Sequence, residues 1–170
     1  MTDIVVQDNF LDEEYFKRLQ SKILVIGENS FPWFMSYTVT GKPYQMCHVV
    51  YGNHRSYSDF YGEFGMLFDA LKVFQFIRIK INLLNREEKI IEHGMHTDIQ
   101  NAPENVLTSI LYMNTNNGYT KFETGEKIES VENRLVTFPN SLKHTGSTNN
   151  CDALYRCVMN IDWIKEGINK

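Results

Sequence analysis

Apolar residues recur at helical spacing in two segments of the first half of the chain. In Leu11–Leu24 they fall three and four positions apart behind an acidic first turn, which predicts an amphipathic helix. The same period in Asp59–Leu71 predicts a second helix. Between the helices, Phe34–Thr40 and Met46–Tyr51 have the composition of strands, and Gly41–Pro43 predicts a turn that joins them.

The pattern changes to alternation from about residue 74 onwards. In Phe76–Leu84, Ile79 and Ile81 fall on one face, whereas Phe76, Arg78 and Lys80 fall on the other, which predicts a strand. Asn-Gly and Thr-Gly pairs add turn signals between later runs. The other predicted strands are Ile4–Val6, Val106–Met113, Tyr119–Glu123, Lys127–Ser130, Arg134–Phe138, Leu142–Gly146 and Leu154–Trp163.

This order of elements predicts a mainly β (α+β) fold. Many short strands separated by turn residues are typical of a barrel or sandwich. We therefore expect a jelly-roll core over residues 74–164, supported by an N-terminal helical layer over residues 1–73. A length of 170 residues fits a single domain that covers residues 1–170.

Composition narrows the classes of function. Hydrophobic residues make up 42% and charged residues 22% of the chain, which is typical of a folded globular protein. The 17 basic and 21 acidic residues give a net charge of −4. An acidic chain lacks the basic surface that binds a phosphate backbone, so we expect no nucleic-acid partner.

The cysteines and the start of the chain indicate a compartment. The chain has three cysteines, Cys47, Cys151 and Cys157. An odd number without CxxC spacing indicates that there is no disulfide framework and no zinc ribbon. Met1–Asp8 shows no signal-peptide pattern, and no apolar run approaches the roughly 18 residues of a membrane span. We expect a cytoplasmic protein with no membrane partner.

The histidines suggest a metal site. In an extended segment, residues two apart share a face, so His96 and Asp98 can bind one ion. His144, on a later predicted strand, can supply a third ligand. Two imidazoles and one carboxylate leave three coordination positions open, as in non-haem Fe(II) oxygenases. The alternative is that His96 and His144 are ordinary loop histidines.

Other residues bear on this site. His93 lies three positions before His96 and therefore points away from it in an extended chain, either behind the metal or into solvent. His48 and His54 lie outside the predicted barrel, where ordinary surface or core roles are expected. Arg156 opens the last predicted strand; there its guanidinium can bind a carboxylate with two parallel hydrogen bonds, although a surface salt bridge is the alternative.

From about Ile79 to Trp163 the chain resembles the 2-oxoglutarate- and Fe(II)-dependent dioxygenases, in particular the small phage and bacterial members of the prolyl 4-hydroxylase-like branch. The metal motif matches at His96, Asp98 and His144. The branch's Gly-Gly-x-Thr-x-Phe hairpin matches Asn117–Phe122, with Asn in place of the first Gly. After the distal His, the branch carries a Gly, a basic residue and a Trp in an order that fits Gly146, Arg156 and Trp163.

The resemblance implies a double-stranded β-helix, with His96, Asp98 and His144 as catalytic Fe(II) ligands. It implies that 2-oxoglutarate and O2 take the open metal positions, that Arg156 binds the far carboxylate, and that the Tyr112 hydroxyl assists Arg156. The expected products are a hydroxylated substrate, succinate and CO2, with ascorbate as an auxiliary reductant. The loop Ser147–Leu154 is longer than is usual in this branch.

The substrate implied by the resemblance is a peptidyl residue, proline first. A groove for it could form from the Tyr119–Ser130 hairpin, the Trp33–Tyr37 segment, Asn82 and Asn160. The alternative enzyme is a small-molecule hydroxylase that acts on a free amino acid or metabolite. A nucleobase demethylase fits less well, because such enzymes carry additional arginines around the final strand.

Two further classes share parts of the pattern. A cupin or non-catalytic jelly-roll binding module remains an alternative, although a cupin would show His-x-His and a Glu between its ligands. A zinc hydrolase could use the same three ligands but would have no need of Arg156 at the end of the barrel.

Overall fold

The computed structural model describes residues 4–27, 31–38 and 44–165. It contains two α-helices, α1 (Glu13–Ile23) and α2 (Gly65–Leu71), and a 3-10 turn over Tyr61–Phe64 leads into α2. The strands are β1 (Val5–Gln7), β2 (Phe34–Tyr37), β3 (Tyr44–Gly52), β4 (Arg55–Ser56), β5 (Gln75–Asn85), β6 (Val106–Tyr112), β7 (Tyr119–Phe122), β8 (Lys127–Glu129), β9 (Leu135–Pro139), β10 (His144–Gly146) and β11 (Tyr155–Ile164).

The strands form two antiparallel sheets. The larger sheet has the order β1-β9-β6-β11-β5-β3-β2, with β4 paired to β3, and the smaller sheet has the order β10-β7-β8. The long strands β5 and β11 lie side by side near the middle of the larger sheet. The predicted mainly-β jelly-roll class is therefore confirmed.

Most predicted elements are present, and the strand ends differ from the prediction by at most three residues. The helix predicted over Asp59–Leu71 is instead the 3-10 turn over Tyr61–Phe64 followed by α2. The larger sheet nevertheless crosses the boundary predicted at residue 73, because β1, β2 and β3 precede that residue and belong to the sheet. β4 was not predicted, since a two-residue strand leaves no periodic pattern. The predicted Gly41–Pro43 turn lies outside the described residues, as do the last two residues of the strand predicted at Phe34–Thr40.

The two faces of β5 and β11 have opposite character. Ile79, Ile81, Met159 and Ile161 face the helices and are fully buried. Four apolar side chains of α1, namely Tyr15, Phe16, Leu19 and Ile23, pack into the same cluster. Each large apolar side chain buried in this way stabilises the fold by roughly 1.5–3 kcal/mol. The helices thus fix the outer face of the sheet and leave its inner face to line a cavity.

A register shift corrects one predicted face. Strict alternation places Phe76 beside Arg78, yet Phe76 packs against the helix-side cluster. The reason is a shift in the pairing of β5 with β11: Asp162 pairs with Arg78, but the next residue, Trp163, pairs with Phe76. Because one residue is skipped at the bulge, the side chains beyond it change face.

The region between the sheets positions the site. β10 and β7 of the smaller sheet face the inner side of β5, β6 and β11, and a cavity of about 310 Å³ lies between them. Among the described helices, none has the length and apolar character that a membrane crossing requires.

Candidate metal centre and carboxylate pocket

The structure brings together the three predicted metal ligands. One possible ligand atom from each of His96, Asp98 and His144 lies within 4.8 Å of the other two. The segment that carries His96 is fixed to β10, because the backbone N–H of each histidine donates to the carbonyl of the other at 2.9 Å. The arrangement thus has the two imidazoles and one carboxylate that suit a ferrous ion.

Both histidines are prepared to bind a metal. Burial lowers the pKa of His144 to about 4, so its imidazole is neutral at physiological pH, which is the form that ligates metals. The Nδ1 atom of His96 lies 3.1 Å from the carbonyl oxygen of Gly94. When Nδ1 donates to that carbonyl, Nε2 is left with a free lone pair that points to the metal position.

Asp98 is oriented by a second charged residue, Arg78. The Nη2 atom of Arg78 donates to Oδ1 of Asp98 at 2.6 Å, whereas Oδ2 of Asp98 lies 3.6 Å from Nε2 of His144. Burial is the largest single influence on the Asp98 carboxyl and opposes its ionisation, but the nearby charges of Arg78, His144 and His96 and the hydrogen bond from Arg78 together hold the pKa of Asp98 below its usual value. One carboxylate oxygen is therefore occupied by Arg78, and the other faces the metal position.

Arg78 is in turn held by a ring of hydrogen bonds. Its Nε donates to Oδ2 of Asp162 at 2.9 Å, and the hydroxyl of Thr108 donates to Oδ1 of Asp162 at 2.9 Å. Asn140 continues the ring. Its Oδ1 lies 3.3 Å from Oγ1 of Thr108, and its side-chain amide pairs with the backbone of Ile99, the residue after Asp98, accepting from the N–H at 3.0 Å and donating to the carbonyl at 2.7 Å. The ring closes on the segment that carries the metal ligand and fixes that segment's orientation.

Arg156 lies at the other end of the cavity. Its side chain is only 2% exposed, and its Nε and Nη2 atoms donate to the hydroxyls of Ser130 at 2.8 Å and Thr120 at 3.1 Å. Among the described residues no carboxylate pairs with it, and burial lowers the pKa of its guanidinium. A buried cation without an acidic partner is costly, so an anionic group bound next to it would be stabilising.

Tyr112 lies next to Arg156 but does not line the cavity in the described part of the chain. It is fully buried, and its hydroxyl donates to Oγ1 of Thr120 at 2.8 Å. Thr120 does line the cavity and accepts from both Tyr112 and Arg156, so its own hydroxyl hydrogen is free to donate. The Tyr112 hydroxyl is thus bonded to Thr120, and both lie beside the guanidinium of Arg156.

Gly118 makes room for Arg156. A Cβ atom on Gly118 would lie 2.6 Å from Cδ of Arg156 and 2.9 Å from the carbonyl oxygen of Thr148. The lack of space for a Cβ explains why residue 118 is the glycine that matches the second Gly of the Gly-Gly-x-Thr-x-Phe hairpin. The Ser147–Leu154 loop begins with three buried residues, and the carbonyl oxygen of Thr148 packs against Gly118.

Further cavity residues were missed or placed differently by the sequence. His93 is 5% exposed and lines the cavity, so the solvent-facing alternative is wrong. From the sequence, Arg78 was placed on the polar face of a strand and given no role in the site. A charged residue on the inner face of a central strand is the feature that could have indicated such a role. Of the proposed substrate groove, Asn82, Asn160 and Tyr37 line the cavity, and Thr120 is the hairpin residue that does so.

Solved structures share this architecture. The prolyl-4-hydroxylase of Pseudomonas putida is 13% identical, with a TM-score of 0.60 over 98% of this chain and 95% of that chain. The Trichoplax adhaerens prolyl hydroxylase, in complex with a peptide fragment of the oxygen degradation domain of hypoxia inducible factor, is 11% identical, with a TM-score of 0.64 over 97% and 84%. The alpha-ketoglutarate-dependent epimerase of nogalamycin biosynthesis is 11% identical, with a TM-score of 0.66 over 96% and 79%.

These similarities establish the fold. Neither a family model nor a curated protein matches the sequence. The resemblance that the sequence predicted is confirmed at the level of architecture, since structural neighbours include prolyl-4-hydroxylases and another 2OG-Fe(II) oxygenase, from Burkholderia pseudomallei.

The first prediction concerns the metal. His96→Ala should weaken Mn(II) or Fe(II) binding more than about 100-fold, because loss of even an outer hydrogen-bond partner of a metal ligand costs ~10–100-fold. Isothermal titration under anaerobic conditions measures this affinity. The control is His54→Ala, which changes an exposed histidine outside the cavity and should bind metal as the wild type does. Equal affinities for the two variants would contradict the assignment.

The second prediction concerns Gly118. Gly118→Ala should lower the free energy of unfolding by about 1–3 kcal/mol, because the added Cβ must displace Arg156 or the backbone of Thr148. Gly62→Ala is the matched control, since nothing lies within 4 Å of its Cβ position. Urea denaturation measures both values. If Gly118→Ala proves as stable as Gly62→Ala, the pocket is not packed as described.

Proposed function

We propose that the protein is a non-haem Fe(II)- and 2-oxoglutarate-dependent dioxygenase that hydroxylates a C–H bond. The observation that carries this proposal is the buried guanidinium of Arg156, which pairs with no carboxylate of the residues described, in the same cavity as the cluster of His96, Asp98 and His144. A metal cluster alone would suit many chemistries. A cluster combined with a buried site for a carboxylate suits a metal enzyme that uses a dicarboxylic acid.

The two ends of the cavity lie along one strand. Asn160 donates to Asp98 at 3.4 Å, and Arg156 lies four residues before it on the same strand. Four residues of strand span roughly 13 Å at about 3.3 Å each. The side chains of Arg156 and of the metal ligands extend into the cavity from the two ends of this span. A ligand that spans this interval would have one end at the metal position and the other at Arg156.

The residues have distinct roles in this proposal. His96, Asp98 and His144 would hold Fe(II), which when bound supplies activation of O2 for C–H chemistry. Arg156 and the Thr120 hydroxyl bind the far carboxylate of 2-oxoglutarate. The reaction balances as substrate C–H, 2-oxoglutarate and O2 giving substrate C–OH, succinate and CO2. Ascorbate would serve as an auxiliary reductant.

The proposed substrate is a peptidyl residue, proline first. Two of the structural neighbours are prolyl hydroxylases, one of them in complex with a peptide fragment. Next to the cavity, the edge strand β2 exposes Phe34 (61%) and Tyr37 (68%), and Tyr44 of β3 contacts Tyr37. Exposed aromatic side chains along an edge strand provide a surface on which an extended peptide can bind.

A small-molecule hydroxylase is the second candidate. Lys80 lines the cavity, and among the described residues no acidic side chain pairs with it. An ammonium group near the metal position favours a substrate that carries its own carboxylate, such as a free amino acid. One neighbour acts in nogalamycin biosynthesis, which is chemistry on a small molecule.

The expected setting is the cytoplasm. Cys47, Cys151 and Cys157 are free thiols, and a reducing compartment keeps thiols in this state. A soluble Fe(II) enzyme also benefits from a reducing compartment, because the ferrous state must persist.

The third prediction tests the reaction. Fe(II)-loaded protein, supplied with 2-oxoglutarate, O2 and ascorbate, should form succinate, and a substrate should accelerate it. We would compare proline-rich peptides, free amino acids and alkylated single-stranded DNA by mass spectrometry. A gain of 16 Da on the peptides supports the prolyl proposal. Turnover of amino acids alone would select the small-molecule alternative, DNA demethylation would overturn both substrates, and no succinate under any condition would contradict the enzyme itself.

The fourth prediction concerns Arg156. Arg156→Ala should weaken 2-oxoglutarate binding by roughly 30-fold or more, since loss of one partner of a buried charge pair costs ~2–5 kcal/mol. Metal affinity should stay unchanged. Arg156→Lys should have a milder effect, and Tyr112→Phe should cost less than Arg156→Ala because it removes one hydrogen bond. Calorimetric titration measures each affinity.

The control for Arg156 is Arg134→Ala. Arg134 pairs with Asp8 on the protein surface and does not line the cavity. This variant should bind 2-oxoglutarate as the wild type does. If Arg156→Ala and Arg134→Ala bind it equally well, Arg156 is not the carboxylate site.

A further inference from the structure

His93 is held rigidly against the smaller sheet. Its backbone N–H donates to the carbonyl of Gly146 and to the hydroxyl of Thr145, both at 3.1 Å. On either side of it, Glu92 pairs with Ser147 and His96 pairs with His144 in isolated bridges. The backbone of His93 is therefore fixed on both sides, and its ring forms part of the cavity wall.

The His93 side chain has no protein partner that explains its burial. It is only 5% exposed, and its Nε2 atom is buried without a hydrogen bond to the described residues. It also lies outside the cluster of metal-ligand atoms, which contains His96, Asp98 and His144. A buried imidazole without partners is unfavourable unless a ligand satisfies it.

His93 lies close to Arg156 and is influenced by the charges of both Arg156 and His96. Gly146 is a shared neighbour: its carbonyl accepts from His93, and a Cβ at Gly146 would lie 3.3 Å from Nη1 of Arg156. Burial and the charges of Arg156 and His96 lower the pKa of His93 to about 4. A neutral imidazole next to an arginine can donate a hydrogen bond without repelling that arginine.

We propose that His93 is a co-substrate-binding residue whose imidazole donates a hydrogen bond to a carboxylate of 2-oxoglutarate alongside Arg156. This inference rests on the proposed function and adds to it a residue that the metal motif does not include. It assigns to the cavity three donors for the dicarboxylate, namely the guanidinium of Arg156, the hydroxyl of Thr120 and the ring of His93.

The fifth prediction compares two buried histidines. His48 is also almost fully buried with an unpartnered Nε2, but it does not line the cavity. His93→Phe should weaken 2-oxoglutarate binding to the Mn(II)-loaded protein about 10-fold or more, as expected for one hydrogen bond to a charged group. His48→Phe should leave this affinity unchanged, and both variants should keep the wild-type Mn(II) affinity. Calorimetric titration measures these values.

The controls separate the two levels of the proposal. If the wild-type protein with Mn(II) does not bind 2-oxoglutarate, the proposed function and this inference both fail. If the wild type binds it and Arg156→Ala weakens it, but His93→Phe binds as the wild type does, only the role of His93 is overturned. A loss of binding in His93→Phe together with a loss of Mn(II) affinity would also contradict the role, because it would place His93 among the metal ligands.

A measurement on the unmodified protein covers the case in which His93→Phe fails to fold. In the Zn(II)-loaded wild type, the ring signals of His93 and His48 can be assigned by NMR through their backbone connectivities. Saturation with 2-oxoglutarate should shift the His93 ring signals and leave those of His48 in place. Unchanged His93 signals at saturation would overturn the inference.

Discussion

The burial of Arg156 without a carboxylate partner among the described residues is the constraint around which this cavity is built. A guanidinium removed from water needs hydrogen bonds for its donors, and hydroxyls of Ser130 and Thr120 supply two of them. The ring of Tyr112 supports its face, and the absence of a side chain at Gly118 leaves space for its stem. These contacts position the charge but do not neutralise it, which is the condition for binding an anion.

Arg78 differs from Arg156 because carboxylates of the protein itself pair with it. It lies on the same inner face of the larger sheet, yet it pairs with two carboxylates, those of Asp98 and Asp162. Burial and the neighbouring charge of Asp98 raise the pKa of Asp162 to about 7, so a divalent cation bound beside Asp98 would favour ionisation of both carboxylates. The cavity therefore has carboxylates that can balance a divalent cation at one end and a guanidinium that can bind an anion at the other. A metal ion and a dicarboxylate that bridge those ends would neutralise both.

The sequence was sufficient for the elements and for the residues whose positions depend on local geometry. Alternation in β5 gave the two faces of the central strand, and the spacing of His96 and Asp98 gave a shared face. The direction of the Tyr112 hydroxyl could not be predicted, because it depends on Thr120 in another sheet. The ring around Arg78 was equally hidden, since it joins side chains on strands and loops that are distant in the chain.

A crystal structure of the protein with Mn(II) and 2-oxoglutarate tests the central claim most directly. The account predicts one metal ion bound by His96, Asp98 and His144, with one carboxylate of 2-oxoglutarate in hydrogen-bond contact with the guanidinium of Arg156. A metal ion at other residues, or a 2-oxoglutarate molecule whose carboxylates both lie away from Arg156, would contradict it.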